Sequence, residues 1–170
     1  MAIREILLLG NSRLYEVSEP VLKSELEDLQ GVVADLHDTL LDFRNRHGAG
    51  RAIAAPQIGV KKRLIYMHVD DVSTVFINPE LTDRSVEMIE VWDDCLCFPD
   101  LLVKLKRHRS CRIRFRNRAW EEEEMQVEGD LSELLQHEYD HLDGILAVSR
   151  AIDGRSFALR NRPMNQTFGK

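Results

Sequence analysis

Residues 137–141 read His-Glu-Tyr-Asp-His, and no other stretch constrains this chain as much. Residues four apart share one face of a helix, so two imidazoles spaced this way can converge on one metal ion. Glu138 follows the first of them and can serve as general base to a water at that ion. The same pattern also arises by chance, with both histidines on the surface, so the flanking sequence has to decide. It favours a helix. Asp130 is placed to cap the N-terminus, and Glu133 three residues on completes a capping box. Leu131, Leu134, Leu135, Leu142 and Ile145 supply an apolar face, and Gly144 provides a C-terminal stop.

Two imidazoles leave a metal short of ligands, and the downstream sequence offers few more. The extended pattern HExxHxxGxxH is matched as far as Gly144, but its last position is Ala147, which has no lone pair to give. From Tyr139 onward the only carboxylates are Asp140, Asp143 and Asp153, and no histidine follows His141. The third ligand is therefore expected upstream, where Cys95, Cys97 and Cys111 are the soft candidates. A thiolate with two imidazoles is a sound set for zinc or ferrous iron and leaves a fourth position open for water.

At 170 residues and 44% hydrophobic, the chain is expected to form one domain over 1–170 with a sizeable core. Its formal charge of −6 argues against DNA or other nonspecific nucleic-acid binding as the main task. No apolar run reaches the roughly 18 residues that span a bilayer. Ile6 to Leu9 is too short for the core of an export signal, and three cysteines then read as reduced thiols in a cytoplasmic protein.

The pattern along the chain is mixed. Ser24 is expected to open a helix with Glu27 as its box partner, and Leu26, Leu29, Val33, Leu36, Leu40 and Phe43 recur at helical spacing. That helix should end among Arg44, Arg46 and Gly48. Strands are expected over 64–69 and 74–77, separated by an Asp70-Asp71 turn, then over 86–92, 101–105, 110–115 and 124–127. The tail after Arg150 should form a short strand or turn and then fray. The fold class is thus α+β, with antiparallel sheets packed around a central metal-binding helix and an N-terminal amphipathic helix.

Residues 104–118 hold eight Lys or Arg, followed by glutamates at 121–124. One reading is a weak contact with ribosomal RNA. The favoured one is a solvated hairpin, with Cys111, Ile113 and Phe115 facing inward and Arg112, Arg114 and Arg116 facing glutamates across the turn. His37, His47, His68 and His108 have no partner at ligand spacing and read as structural or surface residues.

Three ordered segments resemble the peptide deformylases, which remove the formyl group from the initiator methionine of new polypeptides. Residues 50–57, Gly-Arg-Ala-Ile-Ala-Ala-Pro-Gln, are similar to the family's GxGLAxPQ-type segment. Residues 93–97, Asp-Asp-Cys-Leu-Cys, are similar to its EGCLS segment, and residues 136–141 match its QHExDH segment. Ile77-Asn78-Pro79 fits its INP segment, so the likeness spans nearly the whole chain.

The resemblance implies metal-assisted hydrolysis of a formamide, with Cys95, His137 and His141 as ligands. Alignment with the family's segment favours Cys95 over Cys97. It implies Fe²⁺ or Zn²⁺, with Ni²⁺ or Co²⁺ as substitutes. Glu138 would move the proton, and the Gln57 amide with the Leu96 backbone N–H would stabilise the oxyanion. Gly50, Arg51, Ala52, Asp93, Glu133 and Leu134 would line the substrate, an N-formylated peptide lying as an added strand.

The chain also departs from the family pattern. Ala52 stands where a second glycine is usual, Asp93 where glutamate is, Asp94 where glycine is and Cys97 where serine is. The loop from Phe98 to Leu102 is shorter than usual and lacks an arginine. Positions matching Arg51 and Glu133 line the family's methionine pocket and are usually apolar. A charge there needs a partner, so Arg51 and Glu133 are expected to meet and make the pocket polar. These departures keep two alternatives in view: a related amidase acting on another N-formyl or N-acyl substrate, or a deformylase-like binding protein without turnover.

Overall fold

The computed structural model describes residues 2–160. Helix α1 is Leu26–His47, and strands β1 (Ala52–Ala54), β2 (Leu64–Val69), β3 (Val72–Thr82) and β4 (Met88–Asp93) follow. β5 (Leu101–His108), β6 (Ser110–Arg116), β7 (Glu122–Glu128), helix α2 (Asp130–Leu142) and β8 (Phe157–Leu159) complete the order. All the strand pairings are antiparallel, in a larger sheet β1-β2-β3-β6-β7 and a smaller one β4-β5-β8. This is the α+β class read from the pattern.

Strand alternation divides the larger sheet between the two helices. Ile53, Leu64, Tyr66, Val75 and Ile77 pack with Leu29, Val33, Leu36, Leu40 and Phe43 of α1. Ala52, Ala54, Ile65, Met67 and Phe76, from the alternate positions, pack with Leu134, Leu135 and Leu142 of α2. Helix α2 also contacts β5 of the smaller sheet, so it runs between the two sheets. A third cluster joins Val103 and Leu105 of β5 to Cys95, Cys97, Leu146 and Ala147.

Several boundaries differ from the sequence expectation, each for a local reason. The box at the start of α1 is not made by Ser24 and Glu27. Glu25 Oε2 instead accepts from the Leu22 N–H at 2.7 Å, held there by Lys62 at 2.7 Å. The far end is as expected, with Gly48 at φ 68° and its N–H bonded to the Arg44 carbonyl. Strand β3 continues past Ile77 through a register shift before Glu80, where Asn78 has φ 49°. The Asn78 amide holds both backbone groups of Val21 there, and Pro79, which has no N–H, is tolerated at such a bulge. Strand β5 runs on to His108, and Arg107 within it points inward. The expected fraying end lies in 161–170, outside the described residues.

In the β6–β7 hairpin, Cys111, Ile113 and Phe115 are buried. Arg112 meets Asp83 and Glu124, Arg114 meets Glu80, and Arg116 meets Glu122. This is the solvated, charge-paired face.

The first residues of the chain are laced onto three other segments. The N–H groups of Leu7, Leu9 and Ser18 donate to the carbonyls of Gln57, Cys97 and Leu142 at 2.8, 2.9 and 2.8 Å. Gly144, at φ 70°, has to be glycine here, because a Cβ would stand 2.4 Å from the Tyr15 carbonyl oxygen. Among the described residues, no helix is long and apolar enough to cross a membrane.

Candidate active site

Helix α2 delivers His137, Glu138 and His141 to one buried point. Its start is not the expected capping box. Gly129 precedes the helix at φ 58°, Asp130 lies inside the first turn, and no side chain caps it. Glu133 is drawn away to Arg51, whose Nη2 lies 2.7 Å from Glu133 Oε1. The two charged groups thus meet as the sequence led us to expect.

His137 and His141 bring their Nε2 atoms to 3.2 Å from one another, and Cys95 Sγ lies 3.2 Å from His141 Nε2. Cys95, His137 and His141 form a group of buried donor atoms all within 4.8 Å. A tetrahedral ion with bonds of about 2.0 Å to nitrogen and 2.3 Å to sulfur separates its ligands by roughly 3.3–3.6 Å. The donor set therefore fits a divalent ion in both chemistry and spacing. Cys97 sits in the same turn, where its N–H donates to Cys95 Sγ at 3.4 Å. Cys111 belongs to the core between the larger sheet and α2, against Ser132 Oγ at 3.5 Å.

Gln57 is fully buried in the 3₁₀ turn Ala55–Ile58. Its Oε1 accepts from the Ala54 N–H at 2.7 Å, which aims Nε2 at the sulfurs of Cys95 (3.6 Å) and Cys97 (3.5 Å). The amide expected to face an oxyanion is thus held beside the cluster, next to the sulfur of Cys95.

The electrostatics follow from burial and from Asp93. Burial disfavours a charged His137, but Asp93 Oδ1 at 2.9 Å from its Nδ1 outweighs this and lifts the ring to about 9. Burial, then the charge on His137, push His141 well below the usual imidazole range. Burial pushes the Cys95 thiol up and lifts Glu138 to about 7, and Glu138 Oε2 has no hydrogen-bond partner. Burial also opposes the charge on Asp93, but His137 and Arg107 prevail and hold it at about 2.

Local spacing does not announce the scaffold behind His137. Arg107 is 3% exposed and joins Asp93 at 2.9 Å to Asp140, and Asp140 is gripped in turn by Arg150 at 2.6 and 2.7 Å. Arg107 is one cation in a basic run, and Asp140 reads as a spare carboxylate, so neither stands out. The nearest available signal was the placement of Asp140 inside the motif itself.

A cavity of about 290 Å³ opens on the cluster. Gly50, Arg51, Ala52, Asp93, Glu133 and Leu134, all expected to line substrate, border it together with Leu96 and Glu138. Gly50, at φ 120°, needs to be glycine. Asp94 and Arg160 form a further ion pair at this cavity. Arg160 was not foreseen, because it sits at the end of a tail expected to fray. His47 stacks on Phe43 at 4.2 Å and also borders the cavity.

The chain is similar to known proteins over most of its length. The family model for polypeptide deformylase matches residues 3–156. A peptide deformylase of Leptospira biflexa is 34% identical, covering 88% of each chain. Peptide deformylase 2 of Clostridium perfringens is 36% identical, covering 89% of this chain and 94% of its own. Among solved structures, the Thermotoga maritima peptide deformylase has a TM-score of 0.81 at 29% identity, covering 90% of this chain and all of its own. An Acinetobacter baumannii deformylase bound to Met-Ala-Ser has a TM-score of 0.81 at 29% identity, covering 88% of this chain and 98% of its own. The match to the family model and these relatives show that the chain belongs to the polypeptide deformylase family.

Proposed function

We propose that this protein hydrolyses the formamide at the N-terminal methionine of new polypeptides, releasing formate and the free amine. The observation that carries this reading is the convergence of Cys95, His137 and His141 beside Glu138, whose Oε2 has no hydrogen-bond partner among the described residues. Cys95 Sγ and the Nε2 atoms of His137 and His141 would hold one divalent ion, Fe²⁺ or Zn²⁺, with Ni²⁺ or Co²⁺ as substitutes. When bound, such an ion supplies electrophilic catalysis and brings the ionisation of a water down towards neutral pH.

The remaining steps belong to side chains. Glu138 Oε2 takes the proton of the attacking water and passes it to the departing amine nitrogen, so formate leaves and the peptide regains its amino group. Burial raises this carboxyl above the usual carboxylate range, which favours its holding the proton between the two halves of that transfer. Asp93, at 2.9 Å, fixes the His137 ring through Nδ1 and leaves Nε2 to face the cluster. The Leu96 backbone N–H and the Gln57 amide are the donors we assign to the developing oxyanion. Gln57 already meets the cluster through its contact with Cys95 Sγ. The peptide backbone would lie along β1, an edge strand of the larger sheet, with Gly50 admitting close approach.

The test is formate release from formyl-Met-Ala-Ser by anaerobically prepared protein of known metal content. Stoichiometric formate and free Met-Ala-Ser are expected. No release from this peptide, with release from another acylated compound, would replace the proposal with a different amidase.

A further inference from the structure

The cavity beside the cluster has a charged wall. A formyl carbon placed next to Glu138 puts the α-carbon of the same residue only two bonds away. The first side chain of the peptide therefore enters the cavity bordered by Glu138, Leu134, Arg51 and Glu133. Arg51 precedes β1, and Glu133 lies one helical turn before His137. Their 2.7 Å contact joins a half-exposed guanidinium to a carboxylate only 14% exposed.

An apolar side chain laid against this pair strips water from both groups and returns no hydrogen bond. A straight side chain ending in a carboxamide behaves differently. Its carbonyl can accept from a guanidinium N–H that does not face Glu133, and its NH₂ can donate to the second carboxylate oxygen. The geometry points to Arg51 and Glu133 as specificity-determining residues that favour a first side chain ending in a hydrogen-bonding group, such as glutamine, over an apolar chain of equal length. This rests on the deformylase reading of the reaction and concerns which first side chains, beyond methionine, the site accepts.

The experiment compares formyl-Gln-Ala-Ser with formyl-norleucine-Ala-Ser. It uses the metal-loaded protein and the variant Arg51→Leu/Glu133→Leu, which removes both charges together and leaves neither orphaned. Arg51→Met/Glu133→Met replaces it if the leucine pair fails to fold, as judged by thermal melting and metal content. The kcat/KM ratio of glutamine to norleucine should fall at least about 10-fold in the double variant, since hydrogen-bonding pockets discriminate more sharply than apolar ones. A second arm measures calorimetric binding of the acetylated counterparts to Glu138→Gln protein with and without the pair, and its affinity ratio should fall likewise. Unchanged ratios in both arms, with formate still released, would overturn this inference and leave the deformylase reading standing. A shifted binding ratio with no formate from any formyl peptide would do the reverse.

Discussion

Asp93 uses its two oxygens on two different partners: Oδ1 lies 2.9 Å from His137 Nδ1, and Oδ2 lies 2.9 Å from Arg107 Nη2. One buried carboxylate therefore orients a ring of the candidate metal site and neutralises a buried guanidinium. Both partners hold its pKa below that of an exposed aspartate, so its contribution to folding depends on pH in a definite direction. A depressed folded-state value stabilises fully above the unfolded value of 3.8 and is lost as pH falls to about 2. At about 1.4 kcal/mol per unit, the stake is about 2 kcal/mol. With a chelator present, unfolding free energy should fall over that window in the parent protein. Asp93→Asn should be less stable near neutrality and lack this component. Parallel curves for the two proteins between pH 4 and 2 would refute the assignment.

Arg107 is the next link. It is 3% exposed between Asp93 and Asp140, and truncating one member of a buried ionic group typically costs about 3–5 kcal/mol. Arg107→Ala should therefore show a large drop in denaturant midpoint. Arg114, exposed beside Glu80, should change little on the same substitution. Equal effects at the two positions would mean that the buried chain contributes nothing special.

Glu138→Gln keeps the shape of the side chain and removes its ability to take a proton. Formate release should fall by about 100- to 10,000-fold, with metal bound per chain unchanged. Loss of metal along with activity would recast Glu138 as a structural support.

The two cysteines of the Cys95–Cys97 turn are predicted to separate cleanly. Cys95→Ser should lower the metal retained after dialysis, because it removes the soft donor of the cluster. Cys97→Ser should retain a full complement, and Cys111→Ser likewise, since neither belongs to the donor group. Metal analysis by mass spectrometry decides it, and retention by Cys95→Ser with loss from Cys97→Ser would exchange their roles.

What the sequence made legible were features written into local spacing. The α2 helix, the convergence of His137 and His141, and the inward set Cys111, Ile113 and Phe115 all follow from fixed periods. What it hid depends on partners that folding brings from afar. Glu133 had two readings, a capping box with Asp130 and a pair with Arg51 82 residues away; the family comparison supplied the second, which local spacing could not. Arg107 looked like an outward cation because its neighbours are, and the acids that hold it inside come from β4 and α2. Cys95 and Cys97 are two apart in sequence, which says nothing about the turn that presents Cys95 to the imidazoles. The resemblance to deformylases supplied that choice, where spacing alone left three thiols open.

The N-terminal lacing bears on when the site can exist at all. Leu7, Leu9 and Ser18 bind the backbone at Gln57, Cys97 and Leu142, the last of which emerges late in synthesis. Contacts so distant along the chain close slowly, because the loop entropy falls due before they repay it. Ala2 and Arg4 can reach Asp35 and Thr39 of α1 early, but Ser18 has no partner until α2 is made. An enzyme that attends to the first-made ends of other chains thus waits for α2 before its own N-terminal segment is fully fastened.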